Sequence, residues 1–81
     1  MTNLVGTYVT CLLTLWFYIP QLKKPVPHTG YFVCQVKEWN ETKVDTGLAP
    51  EIYVDCTESI GWLKTSHPKK FWTRLEEGRC L

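Results

Sequence analysis

Four cysteines, at positions 11, 34, 56 and 80, are the residues of this 81-residue chain best suited to chemistry. Thiols can bind metal, exchange electrons or form disulfides, and their spacing separates these uses. The chain has no CxxC pair, which argues against a structural zinc site or a thioredoxin-like motif. Two interpretations stay open: disulfides in an oxidising compartment, or small buried hydrophobic side chains in a reducing one.

Catalytic motifs are sparse. Asp45-Thr46-Gly47 matches the tripeptide of aspartic-protease sites, but so short a chain lacks the flanking sheet, and we interpret the tripeptide as a turn. No phosphate-binding glycine loop, HExxH or GxSxG sequence occurs, and nothing singles out a cysteine–histidine nucleophile pair. We therefore expect a protein that is not an enzyme and that has no cofactor and no metal ion.

The C-terminal part of the chain contains basic residues interleaved with aromatic ones. The basic members are Lys64, His67, Lys69, Lys70, Arg74 and Arg79, and the aromatic members are Trp62, Phe71 and Trp72. Such a cluster can bind phosphates and stack bases, or contact an acidic protein surface or anionic lipid headgroups. Because the net charge is +1, nucleic acid is the least favoured of these partners.

The elements that position these residues start with an unusual N-terminal segment. The first 22 residues contain no charged side chain, whereas the other 59 carry all 17. On a helix, residues 4–19 would carry their polar groups on one stripe, as membrane helices do where they contact a neighbouring helix. The stripe consists of Asn3, Thr7, Thr10, Thr14 and Tyr18. Aromatic residues at 16–18, followed by Lys23 and Lys24, fit a membrane interface with the C-terminal part in the cytoplasm.

The same segment also fits a β-strand. Residues 8–19 alternate with period two and contain strong β-formers. A recurring order of Tyr, Cys and Trp favours strands, with Tyr and the first two Trp on one face and Cys on the other. Its copies are Tyr8, Cys11 and Trp16; Tyr31, Cys34 and Trp39; and Tyr53, Cys56 and Trp62. A cleaved signal peptide is disfavoured because no basic residue precedes the apolar run and no cleavage motif follows it.

The remaining elements are predicted from local patterns. Residues 23–30 contain two prolines and a glycine, which predict an extended linker without regular structure. Alternation predicts strands at 31–39 and 51–56, with shorter ones at 42–44 and 60–64 and a turn over 40–50. Residues 68–77 are predicted to form a helix that Ser66 or His67 caps and Gly78 ends.

We therefore expect an α+β fold. A small antiparallel sheet over about 31–64 is followed by a C-terminal helix over about 68–77 and preceded by the apolar segment 4–19. The apolar segment 4–19 is a membrane helix or, alternatively, a long first strand. The corresponding division of the chain is 1–22, 23–30 and 31–81. A chain of this length has a marginal core. If residues 1–25 form an anchor, the remaining 56 residues need a covalent staple or a partner.

Function follows as three hypotheses. The leading one is a membrane-associated, single-pass accessory protein that docks on a larger protein or protein complex. The alternative is a soluble α+β binding or inhibitor protein, of a phage- or virus-type accessory kind, that acts on a larger macromolecular complex. The third is a basic-aromatic nucleic-acid binder. Candidate partner-binding residues are Thr7, Thr10, Thr14, Tyr18, Trp62, Lys69, Lys70, Trp72 and Arg74.

Overall fold

The fold is a four-stranded antiparallel sheet whose strand order follows the chain, β1-β2-β3-β4. The computed structural model describes residues 3–41, 47, 49–61, 65 and 67–81. The strands are β1 (Tyr8–Ile19), β2 (Lys24–Asn40), β3 (Glu51–Asp55) and β4 (Lys70–Arg74), and the short helix α1 (Thr57–Ile60) follows β3. Because each strand pairs with its neighbour in sequence, the chain forms a meander.

Strands β1 and β2 are much longer than the other two. Their pairing runs from Tyr8 opposite Gln35 to Ile19 opposite Lys24, whereas β3 pairs with β2 only from Gln35 onward. Residues 9–19 and 24–34 therefore extend beyond the β3 and β4 part of the sheet as a two-stranded ribbon. The molecule is accordingly elongated, with principal dimensions of 50 × 23 × 15 Å.

The core lies on one face of the sheet, which we call the inner face. Alternate residues of each strand point toward it because side chains in a strand alternate between faces. The buried members are Val9, Cys11, Leu13, Leu15, Cys34, Val36, Ile52, Val54, Cys56, Ile60 and Cys80. Partly buried Phe17, Phe32, Trp39 and Phe71 pack against them. Ile60 places α1 on this inner face.

Two disulfides lie within this core, so the cysteines are paired with each other and are not free thiols. Cys11 pairs with Cys80, 69 residues apart, and Cys34 pairs with Cys56, 22 residues apart. The first ties β1 to the C-terminal segment, and the second ties β2 to the residue after β3. Closing these loops restricts the unfolded chain, so the two disulfides stabilise this small core.

The prediction of a membrane helix over 4–19 is wrong, because residues 8–19 form β1. The period-two alternation buries Val9, Leu13 and Leu15 on one face, and β2 satisfies part of the backbone. Within the described part of the chain, no helix is both long enough and apolar enough to cross a membrane. The alternative, a long first strand, is the structure observed.

The predicted C-terminal helix over 68–77 is also wrong. Lys70–Arg74 forms β4 and pairs with β3, with Phe71 opposite Val54 and Trp72 opposite Tyr53. Phe71 packs against the core while Trp72 points outward. Helix formation would have placed lysines at the positive end of the helix dipole and glutamates at the negative end. The expected α+β fold is thus replaced by a mainly antiparallel β fold.

The prolines of the predicted linker lie in a strand instead. Pro25 and Pro27 belong to β2 and sit opposite Tyr18 and Trp16. Proline is tolerated in a strand where its nitrogen faces an open edge, and the ribbon provides such an edge.

Two predicted strands are found, since 31–39 lies within β2 and 51–56 overlaps β3. The predicted strand at 42–44 lies outside the described residues, as do positions 45 and 46 of the Asp-Thr-Gly turn. Residues 62–64 of the last predicted strand lie outside them too, and Ile60 ends α1.

Candidate functional site

The sheet face opposite the core carries several exposed aromatic and aliphatic side chains. The exposed fractions are 53% for Tyr8, 37% for Leu12, 46% for Trp16, 63% for Tyr18, 66% for Tyr31 and 50% for Val33. We call these six residues the outer aromatic face. They come from alternate positions of β1 and β2, and their neighbours within the same strand are buried or half-buried.

The register of β1 and β2 brings these six side chains together. Leu12 lies opposite Tyr31, and Thr10 lies opposite Val33. Trp16 and Tyr18 lie opposite the two prolines. Side chains directly opposite each other in an antiparallel pair have Cβ atoms about 5 Å apart. The result is a continuous surface on which none of these residues or their cross-strand partners is an Asp, Glu, Lys or Arg.

A pair of threonine hydroxyls lies in the middle of this surface. Thr14 and Thr29 face each other across the strands, and their hydroxyl oxygens are 2.9 Å apart, joined by a hydrogen bond. Each hydroxyl partly satisfies the other, which lowers the cost of covering both with an apolar partner. The outer aromatic face is therefore weakly polar even at its centre.

Apart from the outer aromatic face, a pair of aromatic rings lies at the other end of the sheet. Tyr53 of β3 and Trp72 of β4 have ring centroids 5.3 Å apart with a tilt of 55° between the ring planes. Trp72 remains about half exposed. Charged residues flank this pair, since Asp55 lies opposite Lys70 and Glu51 lies opposite Arg74. This end of the sheet thus differs from the uncharged outer aromatic face.

The basic residues of the C-terminal part are largely engaged within the chain. Arg74 forms a 3.0 Å ion pair with Glu51 and donates to the carbonyl oxygen of Ala49 at 2.8 Å. The Lys69 ammonium group donates to the carbonyl oxygen of Gly61, and Arg79 pairs with Glu76 at 2.9 Å. Cations used in this way stabilise the fold and are less available to a phosphate backbone.

Asp55 has a structural role at the start of α1. Its carboxylate accepts hydrogen bonds from the hydroxyl and the backbone N–H of Thr57, the latter at 2.9 Å. These two bonds, together with the positive charges of Lys70 and Lys37, hold the pKa of Asp55 below its ordinary value. The carboxylate, held by both groups of Thr57, fixes the turn between β3 and α1.

The candidate partner-binding residues predicted from the sequence lie in three different parts of the structure. Thr10, Thr14 and Tyr18 share the outer side of β1, because a spacing of four is even and suits a strand as well as a helix. Thr7 precedes β1, and its hydroxyl donates to the Leu4 carbonyl oxygen at 2.6 Å. Lys69, Lys70, Trp72 and Arg74 lie in or beside β4, away from the ribbon, and Trp62 lies outside the described residues.

Sequence reasoning missed most of the outer aromatic face. Tyr8, Leu12 and Trp16 have the same parity as Tyr18, so the strand interpretation of β1 contained the signal for them. Tyr31 and Val33 could be added once β2 was aligned, because both lie on the exposed side of a predicted strand. The register itself required the structure.

Neither a metal site nor a related protein provides a further clue. In the described residues, no group of three or more His, Cys, Asp or Glu side chains could hold a metal ion. Comparisons of the chain with models of protein families, with curated proteins and with solved structures find no match. The fold and the outer aromatic face define a small, disulfide-linked antiparallel β protein, and function must be argued from its geometry.

Proposed function

We propose that this protein binds a larger protein through its outer aromatic face, as an accessory or inhibitory component without catalytic activity. The observation that carries the proposal is the contiguous, uncharged surface formed by Tyr8, Leu12, Trp16, Tyr18, Tyr31 and Val33. Isolated exposed apolar residues are ordinary, but contiguous apolar patches are typical of interaction sites. Tyr and Trp are also the residues most enriched at the energetic centres of interfaces.

The sheet supports these side chains as a rigid platform. Every residue of the face lies on β1 or β2, whose pairing is continuous from Tyr8 to Ile19. The Cys11–Cys80 disulfide fixes β1 to the C-terminal segment. Rings held on a rigid backbone lose little conformational entropy on binding. Such preorganisation favours a partner with a complementary apolar surface and acceptors for the Tyr hydroxyl groups and the Trp N–H.

The disulfides support a proposed site of action in an oxidising environment. Structural disulfides persist in secreted and cell-surface proteins and are rare in the reducing cytosol. Both disulfides lie in the core, where they contribute to stability. We therefore favour an extracellular or similarly oxidising location over the cytoplasmic one expected from the lysines after the apolar segment.

The proposal is tested by photo-crosslinking from the face itself. Benzoylphenylalanine replaces Tyr31, the most exposed ring of the outer aromatic face, and the labelled protein is irradiated with the extracellular proteins of the cells that produce it. We expect one discrete adduct, because a specific interface places one partner against this position. Unlabelled protein should suppress the adduct, whereas a competitor carrying Trp16→Ser and Tyr18→Ser should not.

The matched control carries the same photo-reactive group at Glu58, which is exposed on α1. This helix packs through Ile60 on the inner face, so the label points away from the outer aromatic face. Adduct formation from position 58 but not from position 31 would contradict the proposal. Equal competition by the unlabelled protein and by the double-serine variant would contradict it as well.

A further inference from the structure

The direction of the backbone groups of β1 is established by its contact with the C-terminal segment. The N–H of Thr10 donates to the carbonyl oxygen of Leu81, and the N–H of Leu81 donates to that of Thr10, both at 2.9 Å. The N–H of Leu12 donates to the carbonyl oxygen of Arg79 at 2.7 Å. The backbone groups of Thr10 and Leu12 therefore point away from β2.

Backbone direction alternates along a paired strand, so the same side of β1 continues beyond Leu12. Thr14, Trp16 and Tyr18 direct their N–H and C=O groups away from β2 as well. Within the part of the chain that the structure describes, no backbone group pairs with these three residues on that side. An unpaired strand edge of this kind is a template for another strand.

The two edges of the ribbon are protected differently. On β2 the outward-directed positions include Pro25 and Pro27, which have no N–H to offer, and the carbonyl oxygen of Val33 accepts a hydrogen bond from the Ser59 hydroxyl. Prolines and charges are devices by which natural proteins block edge pairing. On β1, residues 14–18 contain neither a proline nor a charged side chain. The edge of β1 over residues 14–18 thus lacks the features that block pairing with another strand.

We propose that a second copy of this chain pairs with residues 14–18 of β1, antiparallel, about a two-fold axis at Trp16. The free edge is bounded at one end by Leu12, which already pairs with Arg79, and at the other by Pro20, which lacks an N–H. Trp16 lies midway between them. In this register Trp16 pairs with Trp16 of the partner subunit, and Thr14 pairs with Tyr18 of the partner subunit, so every outward-directed group of the segment is used.

The symmetry of this register favours a second copy over a different partner. A two-fold contact uses the same residues on both sides, and an uncharged edge creates no repulsion when it meets itself. Strand addition joins the two sheets into one continuous sheet. The two outer aromatic faces then become adjacent, which doubles the surface offered by one molecule, although the dimer does not depend on that surface binding anything.

The test uses sedimentation equilibrium of the disulfide-bonded protein from low micromolar to millimolar concentration. We expect a reversible monomer–dimer equilibrium. Thr14→Pro should weaken dimerisation by roughly tenfold or more, because it removes one edge hydrogen bond from each copy. Thr29→Pro is the matched control: it lies opposite Thr14 and breaks the same hydroxyl contact, but its nitrogen faces the β2 edge, so dimerisation should be retained.

Residue-level hydrogen exchange of the unmodified protein tests the register without any substitution. We expect the amides of Thr14, Trp16 and Tyr18 to exchange more slowly as concentration rises, while that of Tyr31 stays fast. A protein that is monomeric at every concentration would overturn the proposal. So would a dimer that is equally affected by Thr14→Pro and Thr29→Pro. A dimer lost in Tyr31→Ala but retained in Thr14→Pro would instead assign self-association to the outer aromatic face.

Discussion

Both faces of β1 contain a leucine, but the two leucines lie in opposite environments. Leu13 is 4% exposed, whereas its neighbour Leu12 is 37% exposed. The inner face of β1 belongs to the buried core that contains both disulfides, whereas the outer aromatic face is exposed. Apolar composition alone therefore does not distinguish a residue that stabilises the fold from one that is free to bind. The difference is set by parity along the strand.

The largest effect is expected from placing a charge on the inner face. Leu13→Asp should prevent folding, because an unpaired carboxylate in the core costs several kcal/mol and a small domain has little stability in reserve. Circular dichroism during thermal unfolding should show no cooperative transition. A folded, cooperatively melting Leu13→Asp variant would show that the inner face is not the core.

Removing the disulfides should have the next largest effect. In the chain-entropy treatment, losing Cys11–Cys80, which closes 69 residues, costs about 4 kcal/mol, and losing Cys34–Cys56, which closes 22, costs about 3 kcal/mol. In urea denaturation, the double serine variant of Cys11–Cys80 should lose more free energy of unfolding than the double serine variant of Cys34–Cys56. The reverse order would show that packing around the shorter link outweighs loop closure.

An effect of similar or smaller size should separate two neighbouring truncations on opposite faces. Leu15 is fully buried, so Leu15→Ala should lower the free energy of unfolding by about 2–5 kcal/mol. Trp16 is about half exposed, and Trp16→Ala should cost less than about 1 kcal/mol, the loss of a cross-strand contact. If denaturant titrations gave similar losses in free energy of unfolding for Leu15→Ala and Trp16→Ala, the ring of Trp16 would be part of the folded core.

The smallest effect concerns the pH dependence from Asp55. Because its folded pKa lies below the ordinary value of 3.8, its stabilisation is present above that pH and is lost as the pH falls through the folded pKa. Asp55→Asn keeps an acceptor for Thr57 but lacks the charge. We expect the difference in free energy of unfolding between the unmodified protein and Asp55→Asn to shrink on acidification. A difference that grows would show that the folded pKa of Asp55 is raised, not lowered.

Sequence could predict the alternation of β1 but could not choose between helix and strand. The polar positions Thr10, Thr14 and Tyr18 are four residues apart, which suits one face of either element. The choice depends on pairing with β2. Because of the prolines at 25 and 27, the first part of β2 is predicted to be a linker and not a strand. Proline is disfavoured in strands by local rules, and its acceptability here follows from the open edge beside it.

Two further failures also arose from non-local structure. The Tyr–Cys–Trp order predicts that Trp39 shares a face with Tyr31, but the register shift between Val36 and Glu38 turns Trp39 toward the core. The capping signals around residue 68 predict a helix, and pairing with β3 overrides them. Disulfide connectivity was equally out of reach, because four cysteines allow three pairings.

The most direct test of the central claim measures folding and binding in one variant, Leu12→Asp. The charge is placed on the outer aromatic face, one residue from the position where it should prevent folding. We predict a cooperative transition close to that of the unmodified protein, with loss of the photo-crosslinked adduct formed from position 31. Loss of the cooperative transition, or an undiminished adduct in the folded variant, would contradict the division of β1 into a folding face and a binding face.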